Sequence, residues 1–345
     1  MLKTFLFFFL WVTVLFAQIP LGYYDLAAGK SGADLKTALH EIISEHTVLL
    51  YGELWAAFEK TDRAADGSVW EMFSECIFEL FADQCGIART ICDCYSREHS
   101  FPRSWYGGSD IVPMHTDLFH IFPIDQIINS QRGNFPYGEV GAINNIREGG
   151  KGKFGRPREG LGYNETSVFE PDDEYKGDIA RTFFYMVTRY ENILEDWYEF
   201  EGARRMLNGT AYPAFREWAL EMLVRWHLND PVSQKEIDRN NAIYKLQNNR
   251  NPFIDNPDFV LQIWRNTPPN TSVVRQFSNK KETISVGIQN QTLRINTSLR
   301  EDGRIYCING KLLKNFNGSS VDLSTFSRGV YILKLGRNNL KFTLD

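Results

Sequence analysis

The sequence predicts an α+β protein with two parts, a larger and mostly helical domain followed by a small all-β sandwich. Three observations lead to this prediction. Apolar residues recur at helical intervals in the first part of the chain, the composition changes to Asn, Pro, Thr and Ser after Trp264, and short β-rich runs follow that change. A chain of 345 residues with 43% hydrophobic residues is long enough for one larger and one smaller domain.

Residues 1–17 have the pattern of a signal peptide. Lys3 precedes an apolar run from Phe5 to Phe16, and the small residue Ala17 ends the run. The run is shorter than the roughly 20 apolar residues of a membrane span. We therefore expect an exported protein that is secreted or held at the cell surface, with no stable membrane span, and we expect it to be a monomer.

Four segments of the larger domain, expected over residues 18–264, have the patterns of helices. The first follows a plausible cap at Ser31, and the fourth begins with the capping-box pair Ser233 and Glu236. The apolar positions that repeat at helical spacing in the first three segments are Leu35, Leu39, Ile42 and Ile43, then Ile179, Phe183, Met186, Val187 and Tyr190, and then Phe215, Trp218, Met222, Leu223 and Trp226.

The end of the chain has the pattern of short strands. A polar linker is expected over residues 265–278, and a β-sandwich over residues 279–345. Asn309 and Gly310 stand between two β-rich runs, which is a strong signal for a hairpin.

Four of the five cysteines lie in one stretch, at Cys76, Cys85, Cys92 and Cys94, and Cys307 is the odd one. In an exported protein this crowding favours disulfides over a redox or metal site. Cys92 and Cys94 are too close along the chain to pair comfortably with each other. Each is expected to pair with Cys76 or Cys85, and both connectivities remain open.

The charge and the glycine pattern exclude two classes of function. A formal net charge of −5 argues against a protein that coats nucleic acid through its overall charge. Gly150, Gly152 and Gly155 form a G-x-G-x-x-G pattern, but no apolar strand precedes it and no helical pattern follows, which disfavours a dinucleotide site. An enzyme that acts on nucleic acid would need a local basic site.

The most informative segment carries Arg97, Glu98 and His99, and is followed by Pro123 and Asn129. These residues resemble the endonuclease I family, secreted or periplasmic nucleases with a ββα-metal (His-Me finger) site. The family pattern is an R-E-H segment, a later aliphatic-x-Pro step, and an Asn on the following helix. Asn129 lies six residues after Pro123, as that pattern requires. The resemblance covers roughly residues 35–264 and implies a ββα-metal motif within the helical domain.

The chemistry of these side chains agrees with the roles that the resemblance implies. A neutral imidazole, with an ordinary pKa near ~6.5, can take a proton from water, so His99 is the predicted general base. Glu98 and the amide oxygen of Asn129 are hard oxygen ligands of the kind that Mg²⁺ prefers, with Mn²⁺ or Ca²⁺ as substitutes. Because adjacent strand residues face opposite sides, a bent strand end or a bulge is expected to bring Glu98 and His99 together.

The phosphate-binding groups are predicted from weaker signals. Better known members of the family hold the scissile phosphate with an arginine after a Gly-Gly step, whereas Ser109 follows that step here. Arg103 and Arg132 are the candidates to replace it, since a guanidinium fork suits phosphate oxygens, and Arg103, in a catalytic role, is the first choice. His120 is assigned a supporting catalytic role, orienting His99 or contacting phosphate. The predicted substrate-binding residues are Arg97, Arg103, Arg132, Lys151, Lys153 and Arg156, the last three on a Gly-rich basic loop over residues 147–158.

The resemblance implies a metal-dependent endonuclease that cleaves DNA, with RNA as a further candidate, and leaves 5′-phosphate ends. The tail, including residues 303–306 and 328–334, resembles a C-terminal sorting domain of the type IX secretion system, which implies that secretion machinery as a partner and a Gram-negative source. The alternative is a non-catalytic surface adhesin or nucleic-acid-binding protein. Intact Glu98, His99 and Asn129 disfavour that alternative, because a binder has no use for this triad.

Overall fold

The computed structural model describes residues 19–85, 87–109, 111–145, 149–159 and 165–265, and then 277–279, 282–289, 292–296, 303–307, 312–327, 329–335 and 338–344. The predicted signal peptide, most of the predicted linker and the Asn309-Gly310 turn lie outside these residues. The chain divides into two compact units, residues 1–28 with 36–257, and residues 29–35 with 258–345. The predicted fold class is confirmed, with a mostly helical region followed by a small all-β region.

The core of the larger unit is built around one buried helix. The α-helices of the described chain are α1 (Gly32–Ile43), α2 (Leu54–Thr61), α3 (Gln126–Arg132), α4 (Lys176–Arg189), α5 (Leu194–Trp197), α6 (Glu201–Arg204), α7 (Glu217–Asn229), α8 (Gln234–Gln247), α9 (Pro252–Asp255) and α10 (Phe259–Trp264). Every residue of α4 from Gly177 to Arg189 is buried, and α7 packs against it. The helical patterns therefore predicted α1, α4, α7 and α8 correctly.

The capping box of α8 is confirmed at atomic detail. The backbone N–H of Ser233 donates to Glu236 Oε2 at 2.8 Å, and the N–H of Glu236 donates to Ser233 Oγ at 3.2 Å. The two side chains thereby satisfy two N–H groups that the start of a helix leaves without partners.

Two small antiparallel sheets complete the larger unit. Strands β1 (Tyr95–His99) and β2 (Ile121–Asp125) form a pair, and α3 follows β2 directly, which gives a ββα unit. Strands β3 (Val140–Asn145), β4 (Lys153–Pro157) and β5 (Val168–Glu170) form the second sheet. The prediction of a continuous basic loop over residues 147–158 was wrong at β4, where backbone pairing with β3 and β5 makes a strand.

The C-terminal region is a β-sandwich, as predicted. Its strands are β6 (Phe277–Asn279), β7 (Glu282–Gln289), β8 (Thr292–Asn296), β9 (Gly303–Cys307), β10 (Leu312–Phe316), β11 (Ser320–Asp322), β12 (Gly329–Leu335) and β13 (Asn338–Leu344). They form two sheets, in the orders β10-β9-β12-β13 and β11-β8-β7-β6. Both sheets contribute to one apolar core, for example Leu293 and Ile295 from one and Ile305 and Leu333 from the other.

Two disulfides close the cysteine-rich segment. Cys76 pairs with Cys92, and Cys85 pairs with Cys94, so each later cysteine reaches back to an earlier one, as expected. The second bridge ends immediately before β1. Within the described part of the chain, none of the helices has both the length and the hydropathy that a bilayer crossing requires.

Candidate active site

Asp125 fixes the geometry of the ββα unit at the junction of β2 and α3. Its Oδ1 accepts hydrogen bonds from the backbone N–H groups of Ile127 and Ile128, at 2.8 and 3.0 Å. Its Oδ2 accepts from the N–H of Cys92 at 2.8 Å. A short acidic side chain at this position satisfies helix N–H groups and favours the start of the helix. Asp125 therefore links α3 to the disulfide-bonded segment that precedes β1.

A cavity of about 680 Å³ opens on this ββα unit. Its volume lies within the range of roughly 300–1,000 Å³ that small-molecule sites occupy. The cavity is lined by Tyr51, Trp55, Cys85, Ser96, Arg97, Glu98, His99, Pro102, Arg103, Ser104, Gly108, Ser109, Gln126, Asn129, Ser130, Gly133 and Asn134. The structure thus brings the predicted base and both predicted metal ligands to one cavity, together with two of the predicted arginines.

His99 is held as a neutral imidazole with a defined tautomer. Its Nε2 lies 3.1 Å from the backbone carbonyl oxygen of His115. Because a carbonyl oxygen only accepts, Nε2 carries the proton and Nδ1 keeps a lone pair. The residue is only 5% exposed, and burial, followed by the electrostatic interaction with His120, holds its pKa well below the usual range.

Glu98 and Asn129 offer two hard oxygen donors. Glu98 is 3% exposed, and burial raises the pKa of its carboxyl, while the nearby Arg132 charge opposes that shift. The amide Nδ2 of Asn129 donates to Ser96 Oγ at 2.8 Å, which leaves the amide oxygen as an acceptor.

This donor set fits a divalent cation that is held by few protein ligands. A cation would offset the cost of burying the Glu98 carboxylate, and Mg²⁺ commonly takes one or two protein oxygens with water and phosphate. The described residues contain no cluster of three or more His, Cys, Asp or Glu side chains that could hold a metal. The candidate oxygen ligands at this cavity are therefore the Glu98 carboxylate and the Asn129 amide oxygen.

The bulge considered for β1 is absent. The pairing of β1 with β2 runs in continuous register from Tyr95, opposite Asp125, to His99, opposite Ile121. Glu98 and His99 instead occupy the last two positions of the strand. The strand end, rather than a bulge, is the point at which the chain brings both residues to the cavity.

Arg97 and Arg103 line the cavity in different ways. The Nη1 of Arg97 donates to the carbonyl oxygen of Tyr51 at 2.7 Å, and its guanidinium carbon lies 3.6 and 4.4 Å from the ring centres of Tyr51 and Trp55. Two aromatic rings therefore hold this guanidinium in place. Arg103 is exposed, and no carboxylate among the described residues forms an ion pair with it.

Arg132 was predicted to bind substrate, but the structure places it inside the protein. Its side chain is fully buried, and Nη1 donates to Glu98 Oε1 at 3.0 Å. Although it lies on α3 beside the cavity, it does not line the cavity. An arginine enclosed in this way contacts the protein rather than a ligand.

The remaining predicted residues lie outside the cavity lining. His120 is buried, its Nε2 donates to the carbonyl oxygen of Met114 at 2.7 Å, and its ring centre lies 5.4 Å from that of His99. Lys151 forms an ion pair with Glu174 at 3.4 Å, and Lys153 forms one with Glu170 at 3.8 Å. Arg156 lies on β4, beside Arg158, at a separate surface cavity.

Sequence reasoning missed three residues that organise the site. His115 acts through its backbone carbonyl, so its residue type carries no signal for that contact. Tyr51 lies between the Arg97 guanidinium and the His115 ring, which stacks on it at 4.3 Å. Ser96 Oγ accepts a hydrogen bond from the amide Nδ2 of Asn129. The sequence offered one signal for Ser96, namely its position two residues before Glu98, because residues i and i+2 of a strand share a face.

Comparison with known proteins identifies relatives of the larger unit. The model of the family described as Endonuclease I matches residues 31–258. An extracellular ribonuclease of Bacillus amyloliquefaciens is 37% identical over 245 residues, 70% of this chain and 78% of the relative. An extracellular ribonuclease of Bacillus subtilis is 34% identical over 248 residues, with the same two shares. An extracellular deoxyribonuclease of Aeromonas hydrophila is 26% identical over 142 residues, 41% of this chain and 50% of the relative.

The fold, the cavity and these matches together define a hydrolase that acts on ester bonds of nucleic acids. The chain belongs to the endonuclease I family, because the family model covers well over half of it. The non-catalytic alternative is thereby set aside.

Proposed function

We propose that this protein is a secreted, metal-dependent endonuclease that cleaves RNA as well as DNA, with His99 as the general base. One observation carries the proposal, namely that His99, Glu98 and Asn129 line the same cavity on one ββα unit. The extracellular relatives support secretion.

His99 begins the reaction by taking a proton from water at Nδ1. Its Nε2 proton already forms a hydrogen bond with the carbonyl oxygen of His115. The lone pair of Nδ1 can therefore accept the proton without a change of tautomer. The water oxygen attacks phosphorus, and the bond from phosphorus to the 3′ oxygen breaks. The 3′ oxygen leaves with a proton from solvent, which gives 5′-phosphate and 3′-hydroxyl ends.

Glu98 and Asn129 hold one divalent cation, Mg²⁺ by preference, with Mn²⁺ or Ca²⁺ as substitutes. When bound, the cation supplies positive charge that stabilises the phosphate and the departing 3′ oxygen. Arg103 contacts a phosphate oxygen from the rim of the cavity, and Arg97 contributes a second, fixed guanidinium. His120 packs edge-on against His99 and supports the position of its ring.

RNA belongs among the substrates for two reasons. The relatives named as ribonucleases match 70% of this chain, whereas the deoxyribonuclease of Aeromonas hydrophila matches 41%. Because the nucleophile is water rather than the 2′-hydroxyl, the same residues can cleave either nucleic acid.

The remaining architecture is proposed from the sequence. Residues 1–17 are the signal peptide, residues 18–264 the catalytic domain, residues 265–278 the linker, and residues 279–345 a sorting domain for type IX secretion. We expect a monomer. The β-sandwich of the C-terminal region and the end of the family match at residue 258 support this division.

The test is digestion of matched single- and double-stranded DNA and RNA by the purified protein, with Mg²⁺ and after exhaustive EDTA treatment. We expect cleavage that EDTA abolishes and Mg²⁺ or Mn²⁺ restores, and products with 5′-phosphate ends. Cleavage that survives EDTA would exclude the roles of Glu98 and Asn129. RNA products that end in 2′,3′-cyclic phosphate would exclude water as the nucleophile. Binding without cleavage of any substrate would favour a nucleic-acid-binding protein.

A further inference from the structure

Arg132 is a buried cation beside the proposed site, and it contacts residues of the site without lining the cavity. It is the last residue of α3, and its side chain is 0% exposed. The guanidinium carbon lies 4.6 Å from the ring centre of Tyr137. Burial of a charged side chain is costly unless the charge is paired and its donors find acceptors. The acceptors that Arg132 has found are therefore informative.

The guanidinium contacts three consecutive residues at the end of β1. Its Nη1 lies 3.0 Å from Glu98 Oε1 and 3.2 Å from the carbonyl oxygen of His99, and Nη2 donates to the carbonyl oxygen of Ser100 at 2.6 Å. Nη1 also lies 3.1 Å from the carbonyl oxygen of Gly133, next to Arg132 in the chain. A rigid planar fork with this set of contacts restricts both the Glu98 side chain and the peptide groups on either side of Ser100. At this end of β1, the adjacent residues Glu98 and His99 both line the cavity.

The same helix carries Asn129, the other proposed cation ligand. Asn129 and Arg132 are three residues apart, so their side chains lie on the same face of α3. Helix α3 therefore supplies one proposed cation ligand directly, Asn129, and through Arg132 it donates a hydrogen bond to the carboxylate of the other, Glu98. A shift of Arg132 would change the position of Glu98 relative to Asn129.

Resting on the proposed function, we infer that Arg132 is a positioning residue, which orients the Glu98 carboxylate and sets its placement relative to Asn129 for the divalent cation. Its side chain is fully buried and does not line the cavity, so it acts through Glu98. A residue that supports a metal ligand in this way commonly changes metal affinity or activity by about 10–100-fold when it is replaced.

The test uses Arg132→Lys, which keeps the positive charge but replaces the planar fork with a single ammonium. Mn²⁺ alone is the probe, and its dissociation constant is measured by titration calorimetry on the full chain without nucleic acid. We expect Mn²⁺ binding to weaken by about 10-fold or more, and kcat at saturating Mn²⁺ to fall while KM for the nucleic acid stays within about threefold. Arg132→Gln, which retains a planar donor, is the second variant in case the lysine variant does not fold.

Arg250→Lys is the matched control, because Arg250 is also buried and pairs with Asp255 at 2.6 Å in another part of the unit. We expect it to lower the thermal midpoint without changing Mn²⁺ affinity. If the folded Arg132 variants have the Mn²⁺ affinity and the kcat of wild type, the inference is wrong. The ion pair of Arg132 with Glu98 would then have only a structural role.

Glu98→Gln separates this inference from the proposed function. If Glu98→Gln binds Mn²⁺ as tightly as wild type, the proposed ligand role of Glu98 fails. If it loses Mn²⁺ and Arg132→Lys does not, only the positioning role fails. Because Arg132 acts through Glu98, adding Arg132→Lys to Glu98→Gln should cause little further loss, and additive losses would contradict this route.

Discussion

The imidazole Nε2 of His99 lies 3.1 Å from the carbonyl oxygen of His115, and the two rings stack with their centres 5.2 Å apart. One residue away, the carbonyl oxygen of Met114 accepts from His120 Nε2 at 2.7 Å. A single short 3-10 helix, Met114–Thr116, therefore fixes two histidines through its backbone. This arrangement leaves Nδ1 of His99 as the basic nitrogen, and burial keeps the ring neutral.

Replacement of Asn129 by Ala should weaken the dependence on Mg²⁺. The variant loses an amide oxygen at the cavity and the hydrogen bond to Ser96. We expect the Mg²⁺ concentration for half-maximal activity to rise by about 10-fold or more, since Mg²⁺ is held by few protein oxygens here. The measurement is a Mg²⁺ titration of the initial cleavage rate. Gln234→Ala, on the exposed start of α8, is the control. An unchanged titration curve for Asn129→Ala would remove Asn129 from the cation site.

Replacement of Arg103 by Ala should lower kcat/KM by about 10–100-fold, because a charge-assisted hydrogen bond to the phosphate is lost. Arg103→Lys should recover part of the loss. Steady-state kinetics on a short oligonucleotide measure the effect. Arg63→Ala serves as the control, since Arg63 is 54% exposed and its partner is Glu59. Equal activities of Arg103→Ala and Arg63→Ala would show that another group binds the phosphate.

Reduction of the disulfides should lower both stability and activity. The bridges span 16 and 9 residues along the chain, and loss of each is expected to cost up to about 3 kcal/mol. The Cys92 N–H also donates to Asp125, so the reduced segment would loosen the start of α3. The thermal midpoint and the cleavage rate are measured after reduction, with thiols counted by mass spectrometry after alkylation. Full activity with all thiols free would contradict this prediction.

Replacement of Asp230 by Asn should stabilise the protein above pH ~6. Burial raises the pKa of this carboxyl from 3.8 to about 6, while its Oδ2 accepts from the Gly177 N–H at 2.8 Å. Between these two values the folded state binds more protons than the unfolded chain, so the contribution of Asp230 to stability falls as pH rises and stays low above pH ~6.

The asparagine variant keeps an acceptor for Gly177 and removes this ionisation. We expect its free energy of unfolding to exceed that of wild type by on the order of 1 kcal/mol near pH 8, and to match it near pH 4. Urea unfolding at both pH values measures the difference. A variant that is less stable near pH 8 would indicate that the charge at Asp230 stabilises the fold.

The main helices and the sandwich could be predicted because their signals are local. Periodic apolar residues fix the buried face of α4, and the Ser233 and Glu236 pair fixes the start of α8 within one turn. The sheet of β3, β4 and β5 escaped prediction because strand pairing depends on distant partners. Lys153 and Arg156 on β4 are charged, and their segment has too little apolar alternation to indicate a strand.

The candidate site divides in the same way. Glu98, His99 and Asn129 could be proposed from the family pattern together with residue type and spacing, and the ββα unit, in which α3 directly follows β2, brings them to one cavity. The carbonyl of His115 could not, because any residue offers a carbonyl. The burial of Arg132 could not be predicted either. An arginine at this position in the sequence is compatible both with a substrate contact and with an internal ion pair. Only the packing of α3 against β1 distinguishes the two.

The initial rate of cleavage by purified His99→Ala, beside wild type in Mg²⁺, tests whether His99 is the general base. We expect the rate on both RNA and DNA to fall by about 10²–10⁴-fold, as loss of a general base implies, while the thermal midpoint shows that the variant remains folded. A folded His99→Ala protein that cleaves either nucleic acid as fast as wild type would exclude His99 as the general base.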